Sequence, residues 1–373
     1  MESTCIEETD QGLECSSNGL IAALYYLNYR TVGMLSKRLS RDYVPKIDKD
    51  TLADSDFVRL MRILCNVHEY DELPVRHNED LLNKDWENSL PVPANEPYKP
   101  GQIPFGGFPS FYAYDNSHLK AFLLLQAHFS GIRTFPISDY AMDMISVLDQ
   151  SVRVLQAMAD LAADQGFLAT TRGIVTLMQS VKQGLWPVRN LDMLPGCKDI
   201  ELSIRGRKMK RVQELFGYSN ADVRNAMKEA GVSEVEAAMK VLSRLPDVKL
   251  RHRIEGVKFE DGKYLLEKDA EYDIKVDIQR SNGAEKRAYC PRFPKPQSEG
   301  WWMLIAEEKD DEIHLMKRVN GGMEGNEASS RNLVTSLPFS TPEEPGEYEY
   351  KILCLSDCYI GFDFEKTFKF VVS

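Results

Sequence analysis

Apolar residues in the first half of the chain recur at the spacing of an α-helix. In "TLADSDFVRLMRILCNVHEY" they stand at Phe57, Leu60, Met61 and Leu64, on one helix face. The same period runs through "GLIAALYYLNYRTVGMLSKRL", "DNSHLKAFLLLQAHFS", "SDYAMDMISVLDQSVRVLQAMADLAADQG" and "TTRGIVTLMQSVKQGLW". These segments predict a helical bundle over residues 17–193.

Capping residues and helix breakers indicate where these helices begin and end. The predicted N-terminal caps are Ser16 with its neighbours Ser17 and Asn18, then Asp115 or Asn116, then Ser138 with Asp139. The predicted stops are Gly166 for the longest helix and Gly184 with Pro187 for the next one. Prolines and glycines between Leu90 and Gly107 predict a loop.

A second region, residues 194–247, reads as three short helices. They are "RGRKMKRVQELFG", "SNADVRNAMKEAG" and "SEVEAAMKVLSRLP", with Ser219 and Ser233 as capping candidates and Gly217 and Gly231 as stops. From about residue 248 the apolar period changes to two, as in "YDIKVDIQR", "WWMLIA", "EYEYKILCLSD" and "KTFKFVV". About seven strands between turns predict an antiparallel β-sandwich over residues 248–373 that folds separately and offers an apolar patch to a partner.

Composition restricts the class of protein. A chain of 373 residues with 43% hydrophobic and 28% charged residues is typical of two or three globular domains. No apolar run approaches the roughly 18 residues that span a bilayer, so no membrane association is expected. A net charge of −11 excludes a surface that binds nucleic acid everywhere, but it leaves room for a local basic groove.

The seven cysteines are scattered, and Cys354 and Cys358 have no second pair with which to form a zinc site. We therefore expect neither a metal nor another cofactor. Unpaired cysteines and the absence of a signal-peptide pattern favour a reducing compartment, the nucleus or the cytoplasm.

The letters Asp311-Glu312-Ile313-His314 spell the ATPase box of many helicases. In a motor the aspartate follows a buried apolar strand and helps to hold Mg²⁺. Here the preceding residues, Glu307 to Asp310, are charged, and no phosphate-binding G-x-x-x-x-G-K-[ST] loop occurs in the chain. We therefore interpret the segment as a β-hairpin, with strands Trp301–Ala306 and Ile313–Val319 joined by a charged turn.

Residues 76–80, "RHNED", resemble a catalytic cluster but have a simpler structural interpretation. Asn78 can cap a helix, the two acidic residues after it suit the helix N-terminus, and Arg76 can pair with one of them. His118 and His128 stand ten residues apart, which does not place them on one helix face as metal ligands. No catalytic or metal-binding residue is therefore predicted.

Trp301 and Trp302 are neighbours on one predicted strand, so their side chains point to opposite faces. One is expected in the core and the other at the surface or an interface.

Two groups of residues are candidates for nucleic-acid binding. On the longest helix, Ser146, Gln150 and Arg153 form a polar stripe beside the apolar face of Ile145, Leu148, Val152, Leu155 and Met158. In the second region, Arg205, Arg207, Lys208, Lys210 and Arg211 place five cations within seven residues. A solvated helix face and an exposed charged turn are the alternative interpretations.

Five ordered blocks carry a resemblance to a known family: "ELPVRHNEDLLN", "LKAFLLLQAHFS", "SVLDQSVRVLQAMADLAADQGF", "PRFPKPQSEGWWMLIAE" and "PGEYEYKILCLSDCYIGFD". Together they resemble the Brl, or Sec-sixty-three-like, unit that follows the motor domains in tandem helicases of the Ski-two-like group. "PVRHNED" and "VLDQSVRVLQAMADLAADQGF" are closer to the cointegrator-complex branch than to the spliceosomal branch. One departure is Leu20, which stands where the family usually has arginine.

The resemblance implies a helical bundle, a helix-hairpin-helix domain and an immunoglobulin-like or fibronectin-like sandwich. It also implies that residues 1–16 are the remnant of a winged-helix domain, so that the chain is cut from, or descended from, a longer ATP-dependent helicase. In the family the longest helix is a ratchet helix that lies under the single strand leaving the motor. A polar stripe with one arginine suits phosphates and base edges without demanding a sequence.

The function that follows is a non-catalytic accessory module. It would guide single-stranded RNA or DNA, brace motor domains in cis or in trans, and dock protein partners through the sandwich. One rival is a stand-alone protein-binding scaffold that never touches nucleic acid. The other, a membrane translocation subunit sharing this domain, requires membrane spans and a His-Pro-Asp J-domain that these residues lack.

Because the phosphate-binding loop is missing and the acidic box is predicted to lie in a turn, we expect the purified chain not to hydrolyse ATP. The measurement is ATP turnover with and without single-stranded RNA. An RNA-stimulated activity that disappears in Asp311→Asn would contradict this prediction.

Overall fold

The computed structural model describes residues 4–9, 12–93, 114–282, 287–320 and 332–373. They form two compact units, residues 1–188 with 291–295 and residues 189–290 with 296–373. The predicted combination of helices and antiparallel sheets is confirmed. Most of the predicted loop between Leu90 and Gly107 lies outside the described residues.

The first unit is mainly helical. Its elements are β1 (Ile6–Thr9), β2 (Gly12–Cys15), α1 (Ser17–Leu24), α2 (Tyr29–Arg38), α3 (Asp56–Cys65), α4 (Glu79–Glu87), α5 (Ser117–Ser130), α6 (Asp139–Asp164) and α7 (Leu168–Gln183), with 3₁₀ turns at Leu52–Asp54 and His68–Tyr70.

The core of this unit surrounds α5, which is buried at every position from Leu119 to Phe129. A helix that is buried all round must be covered on every side, and α3, α6 and α7 pack against it. Phe129 of α5 also meets Phe57 of α3 and the ring of Trp186, at centroid distances of 6.2 and 5.1 Å.

Two of the caps predicted in the first unit form as expected. Ser16 accepts a hydrogen bond from the backbone N–H of Gly19, and Asn116 accepts from His118 and Leu119. Ser138 precedes α6 but makes no side-chain cap bond. The prediction of one continuous helix over residues 19–39 is wrong, because a turn at residues 25–28 separates α1 from α2.

Asn78 does not cap α4. It adopts a left-handed conformation with φ 65° and its side chain makes no capping hydrogen bond. Asparagine tolerates this conformation better than most residues do, which accounts for its presence at the helix entry.

The "RHNED" segment instead contributes to a buried ionic cluster. Lys120 of α5 is completely buried, and its ammonium donates to the Glu79 carboxylate at 2.6 Å, to Asp143 at 2.7 Å and to the Pro74 carbonyl at 2.7 Å. All three N–H groups of the lysine are therefore used. Its ammonium also lies 4.5 Å from the centroid of the Tyr140 ring.

Arg76 completes the cluster, and its predicted pairing with an acidic neighbour is confirmed. Its guanidinium donates to Glu79 at 2.9 Å and to Asp143 at 2.7 Å, so each buried carboxylate meets two cations. Burial by itself would raise the pKa of Glu79, but hydrogen bonds from Lys120 and Arg76 outweigh it and hold that pKa below its ordinary value. Burial would likewise raise the pKa of Asp143, but hydrogen bonds from Arg76 and Lys120 outweigh it and lower that pKa.

The two histidines of α5 have separate structural partners. His128 is buried and donates from Nε2 to the Val181 carbonyl at 2.8 Å, and burial lowers its pKa to about 4. His118 lies with Nε2 3.0 Å from the Asp71 carboxylate and Nδ1 2.9 Å from the Cys65 carbonyl.

The second unit begins with short elements and continues as two sheets. Its elements are β3 (Leu202–Ile204), β4 (Arg207–Met209), α8 (Asn220–Glu229), α9 (Val235–Leu242), β5 (Val248–Ile254), β6 (Phe259–Glu260), β7 (Lys263–Leu266), β8 (Glu271–Arg280), β9 (Gly300–Glu307), β10 (Glu312–Asn320), β11 (Asn332–Ser340), β12 (Gly346–Ser356) and β13 (Asp363–Val372), with 3₁₀ turns at Asn190–Met193 and Val212–Gly217.

The larger sheet has the strand order β10-β9-β12-β13-β7-β6, and the smaller has the order β11-β8-β5. All pairs are antiparallel except β13 with β7. Inward-facing residues of both sheets join one buried cluster that includes Ile274, Val276, Met303, Ile305, Leu337, Phe339, Ile352 and Phe370. The assignment of this pair of sheets to an immunoglobulin-like or fibronectin-like fold stays a prediction.

Trp301 and Trp302 point to opposite faces of β9 as expected, yet both are only 2% exposed. The surface alternative for one of them is wrong, whereas the interface alternative stays a prediction. The outer face of the central strands is also covered, since Leu304 and Leu355 on that face are fully buried. The Arg318 guanidinium lies 5.6 Å from the Trp302 ring.

The acidic box forms the hairpin that the sequence predicts. Strands β9 and β10 pair antiparallel, with Glu307 opposite Glu312. Asp311 sits in the turn between them with φ 52°. It therefore lies inside the turn that follows the buried strand β9, and not at the end of that strand, where an ATPase box places its aspartate.

The prediction of a helix over the segment "RGRKMKRVQELFG" is wrong. It forms the turn and second strand of the β3–β4 hairpin, followed by the 3₁₀ turn at Val212–Gly217. Ser219 caps α8 by accepting from Asp222, whereas Ser233 caps nothing, because α9 starts at Val235 without a side-chain cap.

Residues 189–247 belong to the same compact unit as the two sheets. Arg280 of β8 donates to the Arg244 carbonyl at 3.1 Å, and Asn282 donates to the Leu245 carbonyl at 2.6 Å. Gln213 likewise donates to the Gly361 carbonyl at 2.6 Å. These bonds join residues 189–247 to the sheets, and the division into helix-hairpin-helix and sandwich domains stays a prediction.

We expect Lys120→Met to lower the free energy of unfolding by about 3–5 kcal/mol, because it leaves two buried carboxylates short of a cation. Chemical denaturation of the full chain measures this change. Lys84→Met is the matched control, since Lys84 is an exposed lysine of α4 in the same unit. Equal effects of the two substitutions would mean that the cluster contributes nothing to stability.

Candidate nucleic-acid interface

The polar stripe predicted on the longest helix lies on the accessible side of α6. Ser146 is exposed, and Gln150 and Arg153 are half-buried. Of the apolar face predicted beside it, Leu148, Leu155 and Met158 are buried, whereas Ile145 is 38% exposed and Val152 half-buried. The buried face of α6 is therefore rotated toward Val147, Ser151 and Val154, which are fully buried.

Arg153 already has partners within the protein. Its guanidinium donates to the Tyr25 carbonyl at 3.2 Å, to the Tyr26 carbonyl at 2.8 Å and to the Gln150 side chain. Three of the five N–H groups of an arginine are thereby used. The main contacts of Arg153 therefore position the turn between α1 and α2. Its role as a direct strand contact stays a prediction.

The turn that Arg153 holds ends α1 with the hydrogen bonds of a Schellman motif. The Leu27 N–H donates to the Ala22 carbonyl at 2.9 Å, and the Tyr26 N–H donates to Ala23 at 3.3 Å. Tyr26 takes the left-handed position of this motif, with φ 51°, where glycine is usual. Without a glycine, the sequence carried little signal that the helix stops here.

A second side chain, Glu69, also holds this turn. The Glu69 carboxylate accepts from the Asn28 N–H at 2.8 Å and from the Thr31 hydroxyl at 2.6 Å. Asn28 in turn caps α2 by accepting from the Arg30 N–H. Sequence reasoning missed this turn, although the asparagine was the available signal for a new helix start.

The basic residues of the second unit lie on the β3–β4 hairpin and just beyond it. Leu202, Ile204 and Met209 are buried and anchor the hairpin. Arg205 and Gly206 form its turn, with φ 52° and 78°. The side chains of all five predicted cations are exposed on this framework.

Ion pairs divide the five cations into two groups. Arg205 pairs with Asp222 at 2.9 Å, and Lys208 pairs with Glu201 at 2.7 Å. The hydrogen bond from Lys208 lowers the pKa of the Glu201 carboxylate. Arg207, Lys210 and Arg211 form no side-chain ion pair within the described ranges, which leaves their charges available to an external anion.

The stripe and the basic hairpin belong to different compact units, so each is a candidate contact by itself. Within the described part of the chain, no three histidine, cysteine, aspartate or glutamate side chains are grouped so as to hold a metal ion. In the same residues, no helix combines the length and the apolar character that a membrane span requires.

Residues 15–369 match the family described as the Sec63 Brl domain, so the chain belongs to that family. The resemblance carried by the five sequence blocks is thereby confirmed.

Particular relatives match across nearly the whole chain. Activating signal cointegrator 1 complex subunit 3 of Homo sapiens is 33% identical over 97% of this chain. The DExH-box ATP-dependent RNA helicase DExH14 of Arabidopsis thaliana is 31% identical over 98% of it. The U5 small nuclear ribonucleoprotein 200 kDa helicase of Homo sapiens is 25% identical over 98% of it. The chain spans only 17%, 15% and 15% of these relatives, respectively.

Arg153→Ala is expected to lower the free energy of unfolding by about 2 kcal/mol, because it removes two charge-assisted bonds to backbone carbonyls. Denaturant unfolding gives the change. Amide hydrogen exchange should also accelerate at residues 25–28.

Ser146→Ala on the same face is the control, since that residue is exposed and its hydroxyl bonds, among the described residues, only to the Met142 carbonyl of its own helix. It should change stability by less than about 0.5 kcal/mol. A similar, small effect of both substitutions would show that Arg153 does not hold the turn.

Proposed function

We propose that this chain is a non-catalytic accessory module of a nucleic-acid helicase. It guides single-stranded RNA or DNA, braces motor domains and docks protein partners. Membership of the Brl family supports this proposal, as do two relatives whose names describe helicases. The proposed compartment is the nucleus or the cytoplasm, and the name of the small nuclear ribonucleoprotein relative supports the nucleus.

The observation that carries the nucleic-acid part is the basic hairpin. Arg207, Lys210 and Arg211 are exposed on and beside an anchored hairpin, and their side chains form no ion pair with a carboxylate of the described residues. Cations of this kind neutralise phosphates irrespective of base sequence, and the release of counterions then drives binding. With a net charge of −11 on the chain, the contact should be weak and sensitive to salt.

The α6 stripe supplies the proposed second contact, in the role of a ratchet helix. The Ser146 hydroxyl and the Gln150 amide are accessible hydrogen-bonding groups of the kind that contact phosphates and sugars. Arg153 supports this surface by holding the adjacent turn and the Gln150 side chain.

A protein-binding scaffold is the second candidate. Exposed apolar side chains favour it, namely Leu20 and Leu24 in the first unit and Phe259 and Val334 in the second, which are 57–67% exposed. Residues of this kind are typical of docking surfaces when they lie together. The oligonucleotide experiment below separates the two candidates.

We expect weak binding of a labelled single-stranded oligonucleotide that fades as salt is added. Each neutralised phosphate contributes about 0.7 to the logarithmic salt slope for single strands, so three hairpin cations contribute about 2. Combined replacement of Arg207, Lys210 and Arg211 by alanine should remove that part of the slope. Fluorescence anisotropy over a salt series measures it.

The matched control replaces Lys249, Lys258 and Lys268, three exposed lysines of the same unit, by alanine. It changes the net charge equally but leaves the hairpin intact. Equal losses of slope would mean that only overall charge matters. If the native chain binds no oligonucleotide even at low salt, the result favours the protein-binding scaffold over the nucleic-acid-binding module.

A further inference from the structure

We infer that Tyr26 and Tyr29, on the turn between α1 and α2, form a stacking site for unpaired nucleobases. This inference rests on the proposed function and extends it, because it adds recognition of bases to contacts with phosphates. It concerns residues that neither the polar stripe nor the basic hairpin includes.

The first observation is the conformation of Tyr26. A bulky side chain at φ 51° is an outlier, since its Cβ crowds the backbone and glycine would fit without strain. The side chain is also 85% exposed, so packing inside the protein does not account for the tyrosine. An aromatic ring held at a strained position in solvent is typical of a ligand-binding role.

The second observation is that two separate side chains hold the turn by hydrogen bonds. Arg153 of α6 donates to the Tyr25 and Tyr26 carbonyls, and Glu69 accepts from Asn28 and Thr31. Both groups hold the backbone or the base of the turn and leave the Tyr26 ring untouched. A ring displayed on a fixed backbone loses little conformational freedom when a base stacks on it.

The third observation is the chemistry around the two rings. Tyr29 is 55% exposed, and the Arg30 guanidinium lies 5.8 Å from its ring centroid and donates from Nε to its hydroxyl at 3.3 Å. Aromatic faces with an adjacent guanidinium are the combination that single-strand-binding proteins use for bases and phosphates. Because Arg153 also bonds to Gln150, the turn adjoins the polar stripe, and one strand can use both.

The acidic groups near the turn are engaged in hydrogen bonds within the protein. One Glu69 oxygen accepts from the Asn28 N–H and the other from the Thr31 hydroxyl of α2, and Asp160 accepts from the Tyr25 hydroxyl at 2.6 Å. A purely apolar partner would use Leu20 and Leu24 of α1 and would gain nothing from the guanidinium.

The test compares two probes on the full chain, a short oligothymidine and an abasic strand of the same length. The phosphates are identical, so only stacking distinguishes the two. The native chain should bind oligothymidine more tightly than the abasic strand. Tyr26→Ala should weaken binding of oligothymidine about fivefold or more and leave the abasic strand unchanged, because one stacked base contributes at least that factor.

Two controls make the result specific. Tyr26→Phe keeps the ring and should bind like the native chain. Leu24→Ala removes a neighbouring side chain that is 67% exposed and should leave both affinities unchanged. Thermal melting checks that each variant is folded, which we expect because the altered side chains are exposed.

The outcomes separate this inference from the proposed function. If the native chain binds both strands equally, or if Tyr26→Ala has no effect, the stacking site is refuted while binding through the basic hairpin stands. Equal weakening of both probes by Tyr26→Ala also refutes stacking. If the native chain binds neither probe at low salt, the proposed function fails and this inference fails with it.

Discussion

The first unit depends on one buried lysine. Lys120 stands at the centre of a helix that is covered on all sides, and its ammonium connects α5 with α4, through Glu79, and with α6, through Asp143. A buried charge without partners would be prohibitive, so these elements have to meet in one arrangement for the cluster to be complete. The cluster thereby specifies which way α6 faces, and with it the surface that the helix offers to a ligand.

Helix α6 transmits that constraint to the candidate interface. Asp143 near its start is held by the buried cluster, and Arg153, almost three turns later, holds the turn that displays Tyr26. Ser146 and Gln150 lie between these two anchor points. A helix anchored at both places fixes the position of the polar stripe relative to the turn that carries Tyr26. A surface that guides a single strand requires such fixed positions.

Several local features followed from sequence alone because their causes are local. Asn116 caps α5 through contacts within three residues, and the charged run before Asp311 forms a tight turn as its composition predicts.

The prediction of a helix for the residues of the basic hairpin was wrong. These residues have good helical propensity, and pairing of Leu202 and Ile204 with the next strand overrides that propensity. The buried position of Trp302 was also missed, because alternation along a strand does not report what covers its outer face.

By itself, the sequence determined the change from helices to strands, the family, and the set of cations and polar residues that are candidates for binding. The hydrophobic period and the ordered motifs are properties of the sequence, so they can be recognised without knowledge of the tertiary structure. Only the tertiary structure decided which candidates keep their hydrogen-bonding capacity. It committed Arg153 largely to backbone carbonyls, paired Arg205 and Lys208 with carboxylates, and left Tyr26 in solvent. Such partnerships join residues that are distant in sequence, and no local pattern encodes them.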